Sequence, residues 1–369
     1  MSNFNQLKGL EHTAYPIYEG YDLGLTYTPA GSKFKVWAPT AQQVHIALYT
    51  DAGVYDHEGI VQEHGGGQEF LMNRDGHGVW SIELEGDWNR YYYMYRLEWA
   101  DHSIHYATDP YARAVSANGQ RTAIIDLDRT NPDGWEQDEG PVLERTTDAI
   151  IYELHVRDFS MDPDFNTGIK DLSTAQGRFA AFTYTGLTDA KGNSVGLDHL
   201  LELGITHVHL LPVADFHTVN DFSQLGTEYN WGYDPQHYNV PEGSYSSNPA
   251  DPQTRIRELK RLVQSLHTAG IGVIMDVVYN HTYSVEKGPF EPVVPGYYYR
   301  TDEQGKLTNG SGVGNELATE RPMVRKYIKD SLRYWAEEYH IDGFRFDLMA
   351  LIDTPTVEQL TRELRAEIR

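Results

Sequence analysis

The sequence predicts two architectures in series: an all-β sandwich over residues 15–133 and then an α/β segment over residues 134–369, built from four strand-helix units, with residues 1–14 as a tail. Three observations carry this. Short runs of alternating apolar and polar residues, separated by turn residues, fill the first part. Apolar strand-like runs alternate with helical periodicity in the second. Between them, Asn131-Pro132-Asp133-Gly134 and the stretch Glu136 to Pro141 form a polar, turn-rich joint where the rhythm changes.

In the first part Phe34, Val36 and Trp37 precede Pro39, and Val44, Ile46 and Leu48 alternate with polar neighbours. Val79 to Leu84 and Tyr91 to Trp99 are further strands, Gly65-Gly66-Gly67 is a hairpin tip, and Asp109 to Ala112 and Ile124 to Leu127 are closing strands or extended segments. Nothing in this part gathers acids, bases or metal ligands. In the second part Ala149 to Leu154 is a buried-type strand, Leu197 to Leu203 a short helix ended by Gly204, and Thr206 to Val213 the next strand. Thr254 to Ala269 places Ile256, Leu259, Leu262, Val263 and Leu266 on one helical stripe, stopped by Gly270. Ile271 to Tyr279 is an apolar strand interrupted by Asp276; Arg321 to His340 is a helix with Pro322 in its first turn; Ile341 to Met349 is the fourth strand, followed by a helix from Thr356 to Ile368.

Four such units in series predict a parallel sheet with right-handed crossovers, either doubly wound or part of a barrel. The loops favour the barrel. The strands ending near Val213 and Tyr279 are each followed by about forty residues before their helices, whereas the helix-to-strand returns are short. Long loops at the carboxyl ends of strands are where a barrel enzyme builds its site.

Composition excludes several functions. A formal net charge of -24 opposes binding to nucleic acid or to an anionic membrane, and favours neutral substrates. The absence of cysteine rules out disulfides and thiolate metal sites. No calcium-type oxygen-ligand loop stands out, so no metal or other cofactor is expected. The first residues lack a basic segment followed by an apolar core, and no run is long and apolar enough to cross a bilayer; the expectation is a cytoplasmic protein.

Three clusters fall at the carboxyl ends of strands: Tyr229-Asn230-Trp231-Gly232-Tyr233-Asp234-Pro235, Asp276-Val277-Val278-Tyr279-Asn280-His281, and the pair Arg345 and Asp347. Two residues apart on a strand, Arg345 and Asp347 share a face, and a guanidinium beside a carboxylate holds it ionised and fixes its direction. That prepares a nucleophile. The same pair also serves as a structural ion pair at a strand end, and it is the combination of three clusters on successive strands that points to catalysis.

Asp276 to His281 and Gly343 to Asp347 resemble the first two sequence regions of glycoside hydrolase family 13, the alpha-amylase superfamily, and the motif Tyr229 to Pro235 resembles that of the type I pullulanases. Phe34-Lys35-Val36-Trp37-Ala38-Pro39 is similar to carbohydrate-binding family 48. The resemblance covers nearly the whole chain. It implies a (β/α)8 barrel with Asp347 as the nucleophile on an alpha-glucosyl residue, Arg345 as its aligner, His281 bonding sugar hydroxyls, Tyr233 stacking on the ring, Trp231 in the substrate-binding loop and Asp276 bracing the site. The activity implied is retaining hydrolysis of alpha-1,6-glucosidic linkages in pullulan, starch or glycogen dextrins. Isoamylases and branching enzymes share both domains, and the Tyr229 to Pro235 motif argues against them.

In this family the acid/base glutamate and the transition-state aspartate follow later strands, so the expectation is the first half of a barrel belonging to a longer enzyme, inactive by itself. Glu358, Glu363 and Glu367 are expected on the outer helix, and Glu316, in the loop after the third strand, is the one candidate replacement acid. The first and fourth strands should be open edges, relieved by self-association or by a missing C-terminal half. A glycan-binding protein without turnover is the alternative reading.

Overall fold

The computed structural model describes residues 15–53, 66–162, 165, 172–223 and 227–367. The expected tail over residues 1–14 and Gly65 of the expected hairpin tip lie outside the described residues, as does the side chain of Glu367.

Among the described residues nine strands make the first part: β1 (Gly24–Thr28), β2 (Gly31–Trp37), β3 (Gln43–Tyr49), β4 (Gln68–Leu71), β5 (Asn73–Arg74), β6 (Val79–Glu85), β7 (Tyr92–Glu98), β8 (Ile104–Ala107) and β9 (Thr122–Ala123). They form two antiparallel sheets, β1-β2-β6-β5 and β4-β3-β7-β8, with β9 paired to β7. Alternation builds the core between them. Phe34 and Val36 of β2 meet Val44, Ile46 and Leu48 of β3 and Tyr93, Tyr95 and Leu97 of β7, all buried in one cluster, while Lys33 and Lys35 turn outward. Asp109 to Ala112 is a turn and not a strand. The Asp109 carboxylate accepts from the amide of Tyr111 at 2.8 Å and its carbonyl from the amide of Ala112 at 2.9 Å, which is Asp-Pro turn chemistry overriding an aromatic, apolar composition.

The second part contains β10 (Ile151–Leu154), α1 (Leu172–Ala175), α2 (Leu197–Leu203), β11 (His207–Leu210), β12 (Ala214–Phe216), β13 (Pro235–Pro241), α3 (Pro252–Thr268), β14 (Gly272–Val277), α4 (Pro322–Tyr339), β15 (Gly343–Phe346) and α5 (Thr354–Glu367). Strands β10, β11, β14 and β15 form one parallel sheet in that order, and it does not close. The amphipathic stripes bury as their spacing requires: Ile256, Leu259, Leu262, Val263 and Leu266 of α3 are fully enclosed, as are Val324, Tyr327, Ile328, Ser331 and Trp335 of α4. Asp251 caps α3 by accepting from the amide of Gln253 at 3.1 Å, and Gly204 ends α2 in the left-handed region.

One expectation about the parallel sheet needs correction. The run Ala149 to Leu154 reads as buried, yet Ile150 and Ile151 are 56% and 54% exposed. Strand β10 is the sheet's edge, paired with β11 alone, so its apolar side chains have no wall facing them. The long loop after β11 is also more ordered than irregular loop composition suggests, because β12 and β13 pair within it as an antiparallel ribbon.

The polar joint is no free linker. Trp135 is buried and stacks on His340 with ring centroids 4.0 Å apart and planes 3° from parallel, and the ammonium of Lys260 lies 5.7 Å from its ring. The sandwich itself packs on the later elements: Trp37 meets Tyr297 edge-on, and Tyr327 of α4 donates to the carbonyl of Pro110 at 2.9 Å.

Candidate active site

Strand register places the site's charges. Arg345 on β15 pairs directly with Asp276 on β14, and a direct partner in a parallel ladder shows its side chain on the same face. The guanidinium Nη1 donates to both Asp276 oxygens at 3.1 Å and to Oδ1 of Asp347 at 2.9 Å. Asp347 lies one residue past β15 and stays in line because its amide donates to the carbonyl of Val277 at 3.0 Å. Leu348 then adopts the left-handed conformation, φ 42° and ψ 44°, and turns the chain away.

Asp276 is fully buried, and three groups converge on it. Besides Arg345, the hydroxyl of Tyr233 donates to Oδ2 at 2.8 Å, and His209 Nε2 lies 3.2 Å from the same oxygen. His209 in turn has Nδ1 3.1 Å from Glu153 Oε2, its register partner on β10. A line of charged and polar side chains, Glu153, His209, Asp276, Arg345 and Asp347, therefore crosses all four strands on one face. Burial, and then the Asp276 carboxylate, push the Tyr233 phenol well above its ordinary value, so it stays a donor.

Asn280 completes the surroundings of Asp347. Its amide nitrogen donates to the Asp347 carbonyl at 2.9 Å and to Oδ2 at 3.1 Å, so each carboxylate oxygen has its own donor. The oxygen of the Asn280 amide contacts His281 Nδ1, and His281 Nε2 donates to the carbonyl of Tyr233 at 2.8 Å. Both ring nitrogens are thus engaged within the protein, and the ring links the loop after β14 to the Tyr233 loop. Burial pushes the imidazole below its ordinary value.

The seven-residue motif divides its labour. Gly232, at φ 93°, leaves only 2.8 Å between an added Cβ and Pro212, so no side chain fits at that turn. Asn230 caps the turn by accepting from the Gly232 amide at 2.7 Å, and its carbonyl meets His155 Nε2 at 2.9 Å, tying the loop to the end of β10. Tyr233 enters the site. Trp231 does not join the charged group; it stands on the rim, 59% exposed, its indole donating to the Tyr229 hydroxyl at 2.9 Å, which donates to Asp158 at 2.6 Å.

Glu316 is no acid in this geometry. Arg300 donates to it at 2.7 Å and the Gly310 amide also binds it; although burial opposes ionisation, these donors hold its carboxyl below the usual range. Glu363 pairs with Lys329 at 2.7 Å, away from the site, on the outer helix.

Glu153, His209 and Asn280 are site neighbours that the motif reading passes over. Their signal was present: His209 and Glu153 are polar residues at alternate positions in apolar strands, and Asn280 separates Tyr279 from His281.

Fold and site together define an α/β protein carrying an oriented carboxylate, fixed by a guanidinium and an amide, at the carboxyl ends of parallel strands, behind an antiparallel sandwich. Residues 22–112 match carbohydrate-binding module 48 (isoamylase N-terminal domain), and residues 174–306 and 297–366 match the alpha amylase catalytic domain. This chain belongs to the alpha-amylase family. It is 42% identical over 344 residues to the pullulanase of Bacillus subtilis (strain 168), which covers 92% of this chain and 44% of that one, and 36% identical to the chloroplastic pullulanase 1 of Arabidopsis thaliana, covering 92% and 37%. Among solved structures, apo pullulanase from Paenibacillus barengoltzii superposes with a TM-score of 0.88 at 46% identity, covering 95% of this chain and 51% of that one. The same enzyme complexed with maltohexaose and alpha-cyclodextrin gives 0.89 at 44% identity, covering 99% and 53%. The chain spans about half the length, or less, of these relatives.

Proposed function

We propose that this chain carries the nucleophile of a pullulanase-type debranching hydrolase, acting on alpha-1,6-glucosidic linkages of pullulan and of starch or glycogen dextrins with retention of configuration. The observation that carries the reading is the Asp347 carboxylate held by Arg345 at 2.9 Å and by Asn280 at 3.1 Å. In this mechanism the carboxylate attacks the anomeric carbon, a glycosyl ester forms, and a second carboxyl protonates the leaving oxygen and later activates water. Trp231 and Tyr233 supply rings for sugar faces, and the resemblance to pullulanases favours the alpha-1,6 linkage. Among the described residues Glu316 cannot be the acid, and the 369-residue chain by itself is expected to leave pullulan intact.

The test is complementation. This chain is mixed with a polypeptide covering the part of the Bacillus subtilis relative that it does not match. Maltotriose released from pullulan by the mixture, and by neither component, supports the proposal; an inactive mixture, or action on glycogen alone, overturns it. Exposed Ile150 and Ile151 at one edge of the sheet, and Leu348 and Met349 at the other, are surfaces such a partner or a second copy would cover. A second reading, glycan binding without turnover, rests on exposed Trp231 and on the match over residues 22–112. Retarded migration of the isolated chain in a pullulan gel would favour it.

A further inference from the structure

Three groups share one oxygen beneath the site. Oδ2 of Asp276 accepts from the Tyr233 hydroxyl at 2.8 Å and from Arg345 Nη1 at 3.1 Å, and His209 Nε2 lies 3.2 Å from it; Oδ1 accepts from Arg345 at 3.1 Å. With Tyr233 and Arg345 already donating, the carboxylate has only lone pairs left to offer, so the proton of the third contact belongs to Nε2. The other ring nitrogen, Nδ1, lies 3.1 Å from Oε2 of Glu153, the register partner of His209 on β10. The buried ring is thus held at both ends, and Glu153 fixes its plane.

Two residues of the site depend on where Asp276 points. Tyr233 lies in the loop between β12 and β13; His281 holds its backbone carbonyl at 2.8 Å, whereas its ring is anchored through the hydroxyl bond to Oδ2. Arg345 Nη1 divides itself between Asp276 and Oδ1 of Asp347 at 2.9 Å. The Asp276 side chain is completely enclosed, and three partners on three different segments define its rotamer. Loss of the contact from β11 frees the carboxylate to turn about its Cβ–Cγ bond, which misaims the oxygen that anchors the Tyr233 ring and changes the share of Arg345 left to Asp347.

We propose that His209 is a positioning residue of the glycosidic site: oriented by Glu153, it sets the Asp276 carboxylate in the direction that aims the Tyr233 ring and keeps Arg345 shared with Asp347. The catalytic consequence rests on the proposed function; the aiming of Asp276 does not. His209 acts at a distance, because Asp276 and Arg345 stand between it and Asp347.

The test is a pair of double-mutant comparisons. In the whole chain, urea unfolding is followed for wild type, Tyr233→Phe, His209→Leu and the double variant, and again with Glu153→Gln in place of His209→Leu, since the Glu153 side chain is 61% exposed and its substitution spares the core. Expected is that Tyr233→Phe shifts the folding equilibrium about fivefold less in the His209→Leu background than in wild type, and less in the Glu153→Gln background too, because the hydroxyl has already lost its aimed partner. In the complemented enzyme His209→Leu should lower kcat about tenfold or more with KM within about threefold, and His209→Leu should add little to Tyr233→Phe. His209→Gln, whose amide can donate where Nε2 does, should recover most of that loss. A larger cost of Tyr233→Phe in the variant backgrounds would show that His209 and Tyr233 compete for Oδ2, and additive costs would show that they are independent; either overturns the proposal, as does an undiminished kcat in His209→Leu or an equal loss in His209→Gln. An inactive wild-type mixture would refute the proposed function and leave the urea comparison to decide the role of His209.

Discussion

Asn280 binds Asp347 twice, through its carbonyl at 2.9 Å and through Oδ2 at 3.1 Å, and so fixes both the backbone and the carboxylate of the residue proposed to attack. Asn280→Ala should cost roughly 1–3 kcal/mol of stability, because it strips a donor from a partly buried carboxylate and a partner from His281. In the complemented enzyme it should lower kcat about 10–100-fold with a smaller change in KM. Asn280→Asp should be worse, since it brings a second carboxylate against Asp347 and disfavours the ionised form. Equal kcat in wild type and Asn280→Ala would remove Asn280 from this role.

Arg345 serves two carboxylates, and the two roles separate by substitution. Arg345→Met leaves Asp276 buried with only the Tyr233 hydroxyl and His209 beside it, and the urea midpoint should fall by an amount corresponding to roughly 1–3 kcal/mol. Arg345→Lys retains the charge but not the planar fork, so most of the stability should return while turnover does not. Recovery of both by lysine would mean that geometry at Asp347 is unimportant.

How much of this was legible in the sequence follows from which forces are local. Helices α3 and α4 could be read closely because an apolar stripe with a proline or capping aspartate at one end and a left-handed residue at or just beyond the other is a local code. Arg345 and Asp347 were legible because a period of two is local too. The exposure of Ile150 and Ile151 was not, since burial of a strand depends on what lies beyond its edge. Nor was the stacking of Trp135 on His340, which joins residues two hundred positions apart in a stretch whose composition says only turn. The engagement of both His281 nitrogens depends on the Tyr233 carbonyl and the Asn280 amide, and no spacing rule reports a backbone carbonyl 48 residues away.

The joint at the base of the sheet should be pH-sensitive. His267 lies between Asp138 at 2.8 Å and Asp342 at 3.0 Å, and His340 contacts the same Asp138 oxygen at 2.9 Å. Burial opposes the charge on His267, but the two carboxylates outweigh it and push the imidazole up to about 9; burial likewise opposes Asp138, but the two histidines bring it down to about 2. A raised imidazole stabilises fully below its ordinary value of 6.5 and loses that contribution as pH climbs toward 9. A lowered carboxyl stabilises above 3.8 and loses that contribution as pH falls toward 2. The stability difference between wild type and His267→Gln should therefore be largest from about pH 4 to 6.5, on the order of 1–3 kcal/mol, and shrink above it. A difference constant up to pH 10 would show that His267 is neutral in the fold.

Leu348 is left-handed and 45% exposed, so Leu348→Gly gives up little packing. Relief of about 1–2 kcal/mol of backbone strain is offset by roughly 0.5–1 kcal/mol from the freer unfolded chain, and stability should rise slightly or stay level. Turnover should fall, because the residue after Asp347 no longer limits its direction. Thermal denaturation and pullulan hydrolysis of the complemented enzyme, read together, test this: a parallel loss of both would show that the leucine side chain matters more than its backbone.

The sharpest test sets Asp347 against Glu316. Asp347→Asn keeps volume and an oxygen for Arg345, while Asp276 retains its own three partners, so the fold should lose less than about 1 kcal/mol. Its chemistry should not survive. An amide cannot form the glycosyl ester, and pullulan hydrolysis in the complemented mixture should drop by roughly three orders of magnitude or more. Glu316→Gln should behave in the opposite way. It weakens the contact with Arg300, which also binds Glu320 at 2.8 Å, and loosens the Gly310 turn, so the melting temperature should fall. Hydrolysis by the fraction that remains folded should be close to that of wild type, since a carboxylate pinned by a guanidinium has no proton to give. If Glu316→Gln abolished turnover in a folded protein while Asp347→Asn spared it, the two carboxylates would have to exchange roles, and the line from Glu153 through His209, Asp276 and Arg345 would be a structural brace alone.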